Sequence, residues 1–149
     1  MKVIAINGSP RANGNTTLAL KTMTDELERL GIETETIQIG KESIHGCIAC
    51  GHCAKSEGNR CVFGDDCVNE VSQKMREADG FILGCPTYYA GIPGAMKCFL
   101  DRVFYSSTRY FRLKVATSCA VVRRAGGVDV VHQLNNYLNL AQVVIPPSQ

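Results

Sequence analysis

Cys47, Cys50, Cys53 and Cys61 fall within fifteen residues, spaced C-x2-C-x2-C-x7-C, and make up half of the eight cysteines in a chain of 149. Thiolates are soft ligands, suited to iron–sulfur clusters and to zinc. Three cysteines at i, i+3 and i+6 can turn toward one point, and a fourth eight residues later can close the set. Such compact spacing suits a [4Fe–4S] cluster. Zinc sites more often use two separated C-x2-C pairs. A thiol-rich loop that binds no metal is the remaining reading. His52 stands between two of the cysteines as a neighbour rather than a ligand. Cys67 is an extra thiol at a helix start, and Cys85, Cys98 and Cys119 are small core residues.

A second stretch, Asn7 to Thr17 (NGSPRANGNTT), could hold an anion. Gly8 and Gly14 permit tight turns. Ser9, Asn13, Asn15, Thr16 and Thr17 offer hydroxyls and amides, and Arg11 adds a fixed positive charge. A helix starting there aims free N–H groups at a bound phosphate. The stretch is neither a Walker loop nor a G-x-G-x-x-G fingerprint. Its bland alternative is an ordinary capped turn. Two further loops carry polar or planar groups: Pro86-Thr87-Tyr88-Tyr89-Ala90-Gly91, and Arg123 to Gly127 with Gly126 inside it.

The elements around these loops alternate. Short apolar runs at 2–7, 32–39, 81–85, 114–122 and 143–145 read as strands. Amphipathic stretches at 16–30, about 66–78, 92–104 and 128–140 read as helices. Asn15 or Thr16 can cap the first helix, Gly31 can end it, and Asp65 or Asp66 can cap the second. This alternation predicts a parallel sheet with right-handed crossovers, of order 2-1-3-4-5. It forms a three-layer α/β sandwich in which a closing helix after the fifth strand looks missing. The whole of 1–149 reads as a single domain, with the cysteine-rich loop at 45–67. In such a sheet, loops 1 and 3 flank the ligand crevice, and topology puts the cysteine loop at the same rim.

Composition supports a globular chain, with 45% apolar and 20% charged residues. The net charge of +2 gives no reason to expect nucleic acid or a membrane surface as partner. The N-terminus lacks the apolar core of a signal peptide, and no run approaches the ~20 residues of a membrane span. A cytoplasmic location is expected, where cysteines stay reduced.

The motif G-S-P-R-x-x-G-N-T after the first strand, together with Cys85 to Arg102 (CPTYYAGIPGAMKCFLDR), resembles the NAD(P)H-dependent FMN reductase branch of the flavodoxin-like superfamily. The cysteine spacing resembles the compact cluster motif of its iron–sulfur flavoprotein subgroup. The resemblance implies FMN phosphate in the cradle of Ser9, Arg11, Asn13, Gly14, Asn15, Thr16 and Thr17. It implies the flavin ring along Pro86, Thr87, Tyr88, Tyr89 and Gly91, with Arg123 and Gly126 at its other side. Cys47, Cys50, Cys53 and Cys61 would hold the cluster. It also implies an NAD(P)H or ferredoxin-like electron donor, and a homodimer or homotetramer that brings flavin and cluster together. A cluster-free FMN or quinone reductase, and a non-enzymatic zinc- or nucleotide-binding module, are the alternatives. No side chain is nominated as acid or base. Asp101-Arg102 resembles a structural end-of-helix pair, and Tyr105 to Lys114 reads as an oligomer contact, a loop near the flavin or a solvated connection.

Overall fold

The computed structural model describes residues 1–147, and Ser148 and Gln149 lie outside the described residues. Four strands form one sheet: β1 (Lys2–Asn7), β2 (Glu33–Gln38), β3 (Gly80–Pro86) and β4 (Val115–Val121). Their order is β2-β1-β3-β4, and every pairing is parallel. Five α-helices accompany them: α1 (Asn15–Arg29), α2 (His52–Lys55), α3 (Val68–Glu77), α4 (Gly94–Phe111) and α5 (Gly127–Leu140).

The expected fifth strand is corrected. Residues 143–145 lie beside β4 in the expected place, but they make only one parallel bridge, Val115 to Val144. Ala116 N–H donates to Val144 O at 3.0 Å, and Val144 N–H to Lys114 O at 2.9 Å. Pro146 and Pro147 follow at once and bring no N–H to extend the ladder.

Side chains alternate across the sheet, as the period of two requires. Ile4 and Ile6 of β1, with Phe81, Leu83 and Cys85 of β3, enter the main core. That core is covered by Val68, Val71 and Met75 of α3, by Met96, Phe99, Leu100 and Val103 of α4, and by Val130, Leu134 and Leu138 of α5. The opposite face carries Ala5, Ile82 and Gly84. A Cβ on Gly84 would stand 2.7 Å from Leu20 Cδ2, so small residues let α1 lie close on this side. Beside α1 an apolar groove of about 480 Å³ remains, lined by Val3, Met23, Leu27, Ile82, Thr117 and Pro146 among others.

Helix α4 runs further than its sequence pattern suggested. Residues 105–111 are its last two turns, not a connection. Phe104 and Phe111 extend the apolar stripe, with ring centroids 5.1 Å apart and both rings near Phe81. The N-cap of α1 is Gly14, and neither Asn15 nor Thr16 fills that position. Asp66 does serve α3, accepting the Val68 N–H at 3.1 Å.

The exit of β2 sets the shape of the loop after β1. A Cβ added to Gly40 would lie 2.2 Å from the carbonyl carbon of Ser9 and 2.3 Å from its oxygen, and both are backbone atoms that cannot yield. Gly64 has nothing within 4 Å. Gly40→Ala should therefore lower stability by about 1–3 kcal/mol, the usual cost of overpacking. Gly64→Ala should leave the urea midpoint where it is. Equal midpoints for the two variants would contradict the contact.

Candidate functional site

The loop after β1 is built by its own polar groups. Ser9 N–H donates to Asn7 Oδ1 at 2.9 Å, and Asn7 Nδ2 donates to Thr17 Oγ1 at 2.9 Å. Arg11 N–H donates to Ser9 Oγ at 3.1 Å, and Gln38 Nε2 to Ser9 O at 2.8 Å. The hydroxyl oxygens of Ser9 and Thr17 are thus partly engaged in shaping the loop, and Ser9 and Thr16 are buried. Arg11, Asn13 and Asn15 remain exposed at the start of α1. The first-turn amides of that helix have no carbonyl four residues back within the helix. Arg11 thus flanks a helix start whose free N–H groups can hold an anion.

The loop after β3 is a tight turn. Tyr88 N–H donates to Gly91 O and Gly91 N–H to Tyr88 O, each at 2.9 Å. Tyr89 (φ 49°) and Ala90 (φ 59°) between them are both left-handed. Left-handed backbone at a residue with a Cβ costs roughly 1–2 kcal/mol per residue. The loop after β4 braces this turn. A Cβ on Gly126 would fall 2.5 Å from Ala90 Cα, and Gly126 has φ +86°. Thr87 N–H donates to Val121 O at 2.9 Å, and Gln133 Oε1 accepts the Ile92 N–H at 3.2 Å. Tyr89 is fully exposed, and Arg123 and Arg124 are exposed. Thr87 Oγ1 is buried with no hydrogen-bond partner among the described residues. An orphan of that kind is what the polar edge of a bound ligand satisfies.

Cys47, Cys50, Cys53 and Cys61 line one small hollow, together with Ile48, Val62, Phe63, Arg102, Tyr105 and Ser106. The chain reaches it through left-handed turns at Ala49 (φ 53°) and Gly51 (φ 70°), which bend the backbone between the first three cysteines. Helix α2 then carries Cys53. All eight cysteines are free thiols. Burial pushes the Cys53 thiol up, and charge on Cys61, Cys47 and Cys50 would push it the same way. Among the described residues no three His, Cys, Asp or Glu side chains are spaced to hold a single metal ion.

The hollow is held by Asn69, Asn59 and Arg76, which the sequence reading did not single out, and by Arg102, read there as half of an end-of-helix pair but lying in the middle of α4. The Asn69 amide clamps Cys61: its Oδ1 accepts the Cys61 N–H at 2.7 Å, and its Nδ2 donates to Cys61 O at 3.1 Å. Asn59 Nδ2 donates to Cys53 O at 2.9 Å. Arg76 donates to the carbonyls of Gly58 and Asn59 and, through Nε, to Ser107 Oγ at 2.8 Å. Arg102 is 1% exposed and donates to Cys61 Sγ, the Asp66 carboxylate, and the carbonyls of His45 and Phe63. His45, assigned no role from sequence, stacks on Phe63 with centroids 4.3 Å apart.

These contacts shift the expected position of the hollow. The cysteine loop leaves the rim of the sheet and drapes over α3 and α4. Arg102 and Tyr105 stand eight and eleven residues past the start of α4, roughly 12 and 16 Å along it. The reason is that Arg102, Asn69 and Arg76 hold the loop to the helices rather than to the strand ends. Tyr105, read with its neighbours as an oligomer contact, a loop near the flavin or a solvated connection, is a wall of the hollow.

The family model described as NADPH-dependent FMN reductase matches residues 1–149. The iron-sulfur flavoprotein MJ1083 of Methanocaldococcus jannaschii is 38% identical over 148 residues, covering 97% of this chain and 75% of that protein. An iron-sulfur flavoprotein of Methanosarcina thermophila is 30% identical over 149 residues, covering 97% and 76%. Among solved structures, RosB with bound 8-demethyl-8-formylriboflavin-5′-phosphate superposes with a TM-score of 0.76 at 21% identity, covering 99% of this chain and 62% of that one. An archaeal flavodoxin gives 0.67 at 13% identity, covering 99% and 80%. The structural likenesses establish a flavodoxin-like fold.

Two thiols away from the hollow give the protein a pH signature. Burial pushes Cys85, at the end of β3, up to about 12. Burial, with the charges of Glu42 and Asp66 adding to it, pushes Cys67 up to about 11. In the unfolded chain both ionise near 8.5. The unfolded state thus loses these protons first, and stability falls as pH rises above about 8.5 toward the folded values. Urea midpoints should drop across that window, and the drop should be shallower in Cys67→Ala. A parallel fall in the two proteins would contradict the assignment.

Proposed function

The chain belongs to the NADPH-dependent FMN reductase family and is an oxidoreductase of that kind; from that premise we propose that it works as an iron–sulfur flavoprotein. The observation that carries this reading is the convergence of all four spaced cysteines on one hollow clamped from α3 and α4. Four thiolates around a four-iron cluster stand farther apart than four around a single ion at about 2.3 Å. A hollow walled by four cysteines from one loop offers the all-thiolate donor set that such a cluster takes. The names of the archaeal relatives point the same way.

FMN, when bound, exchanges electrons as hydride with a nicotinamide or singly with a ferredoxin-like donor, and a [4Fe–4S] cluster passes single electrons. The chain's work is to hold and insulate both groups. Arg11 and the opening amides of α1 neutralise the phosphate, with Ser9, Asn13, Gly14, Asn15, Thr16 and Thr17 shaping the cradle. The turn from Pro86 to Gly91 and the loop carrying Arg123 and Gly126 flank the ring. Thr87 Oγ1 is available to its polar edge. Cys47, Cys50, Cys53 and Cys61 ligate the cluster.

In one copy the cradle opens at the sheet rim while the hollow lies partway down α4. Ile48, Val62 and Tyr105, each about half exposed or more, give the hollow an apolar margin. We therefore assign a homodimer or homotetramer, in which one copy's flavin approaches another's cluster. No helix among the described residues is long and apolar enough to cross a membrane. A reducing cytoplasm would keep the ligand thiols free.

Cys61→Ser should lose iron and the visible cluster absorbance after anaerobic preparation, yet retain FMN. Unchanged iron would remove Cys61 from the ligand set. Arg11→Ala should weaken FMN binding by roughly 10–100-fold, the worth of one charge-assisted hydrogen bond. Unaltered affinity by flavin fluorescence titration would move the phosphate elsewhere.

A further inference from the structure

Among the described residues Arg102 is the only charged residue in the fully buried set. Each of its five N–H groups has an acceptor. Nη1 serves His45 O at 3.3 Å and Asp66 Oδ2. Nη2 serves Phe63 O and Asp66 Oδ1, each at 3.1 Å. Nε alone is turned to Cys61 Sγ, at 3.2 Å.

Four of these bonds already anchor the loop to α4, so anchoring does not explain the fifth. A neutral thiol is a poor acceptor. A thiolate is a far better one, because one partner is charged. Asp66 sits on the terminal-nitrogen side of the guanidinium and Cys61 on the Nε side. The ion pair therefore presents its positive end to the sulfur.

We propose that Arg102 sets the reduction potential of the cluster held by Cys61, through its Nε–H bond to the sulfur and the orientation that Asp66 imposes on it. Reduction adds negative charge to the cluster, and a donor to a ligand sulfur stabilises the reduced form, raising the potential. The proposal rests on the reading of Cys61 as a cluster ligand. Arg102 is a positioning residue, acting through Cys61.

The test uses the anaerobically prepared full chain with its cofactors. In wild type grown on ¹⁵N-arginine, pulsed EPR of the dithionite-reduced cluster should detect a weakly coupled ¹⁵N. In potentiometric titration, Arg102→Lys should titrate at a lower potential, since lysine lacks the planar fork. Asp66→Asn should titrate at a higher one, because the arginine charge is then uncompensated. A purely structural role would not shift the two variants in opposite senses. If Arg102→Lys fails to fold, the wild-type coupling and Asp66→Asn decide. Normal iron content with no ¹⁵N coupling, or with an unmoved Asp66→Asn potential, overturns the proposal and leaves the cluster reading standing. Wild type without iron defeats the cluster reading itself.

Discussion

A guanidinium sealed from water beneath an irregular loop is tolerated only because each of its donors is met. Arg102 achieves this by drawing residues 45, 61, 63 and 66 onto the outer side of α4. Removing one partner of a buried pair commonly costs about 3–5 kcal/mol, because the other charge is left stranded. The loop therefore cannot lift from the helix without exposing that cost. Helix α4 is sandwiched as a result. Phe99, Leu100 and Val103 press on the sheet core, while Arg102, Tyr105 and Ser106 face the cysteines. The same helix thus links the stability of the core to the position of the sulfurs.

Left-handed backbone occurs at both places where cofactors are assigned, as it does at Leu113 after α4 and Gln142 after α5. Ala49 takes a left-handed turn among the cysteines, and Tyr89 and Ala90 do so in the turn after β3. Asparagine or glycine would relieve such turns more cheaply. Their surroundings hold them in place: Gly126 presses on Ala90, and Gln133 ties down Ile92. A turn fixed in this way presents Tyr89 to solvent from a backbone that need not be reordered on binding.

Much of the architecture was legible in the sequence because its signals are local. The apolar runs of β1 and β3, the stripe Leu20, Met23 and Leu27, and Gly31 at φ +78° follow from periodicity and backbone sterics. The spacing let Cys47, Cys50, Cys53 and Cys61 be grouped, and the structure brings the four around one hollow. What escaped was set by partners far apart in sequence. Arg102 meets Cys61 across 41 positions, and Gly40 earns its identity from Ser9 in another strand's loop. Asn69 carries no sequence signal of its own, because its role comes from its amide bridging the backbone of Cys61. Val143 to Ile145 carry a strand's apolar pattern, but the pairing ends with the prolines that follow.

The central claim is that four thiolates from one loop, clamped on α3 and α4, share one four-iron cluster in a chain that also carries FMN. Mössbauer spectroscopy of wild-type protein reconstituted anaerobically with ⁵⁷Fe, alongside flavin quantification, tests it most directly. The account predicts the signature of a four-iron cluster with all-thiolate ligation and one FMN per chain. Isolated tetrahedral iron, or a flavin-loaded protein that takes up no iron, would contradict it.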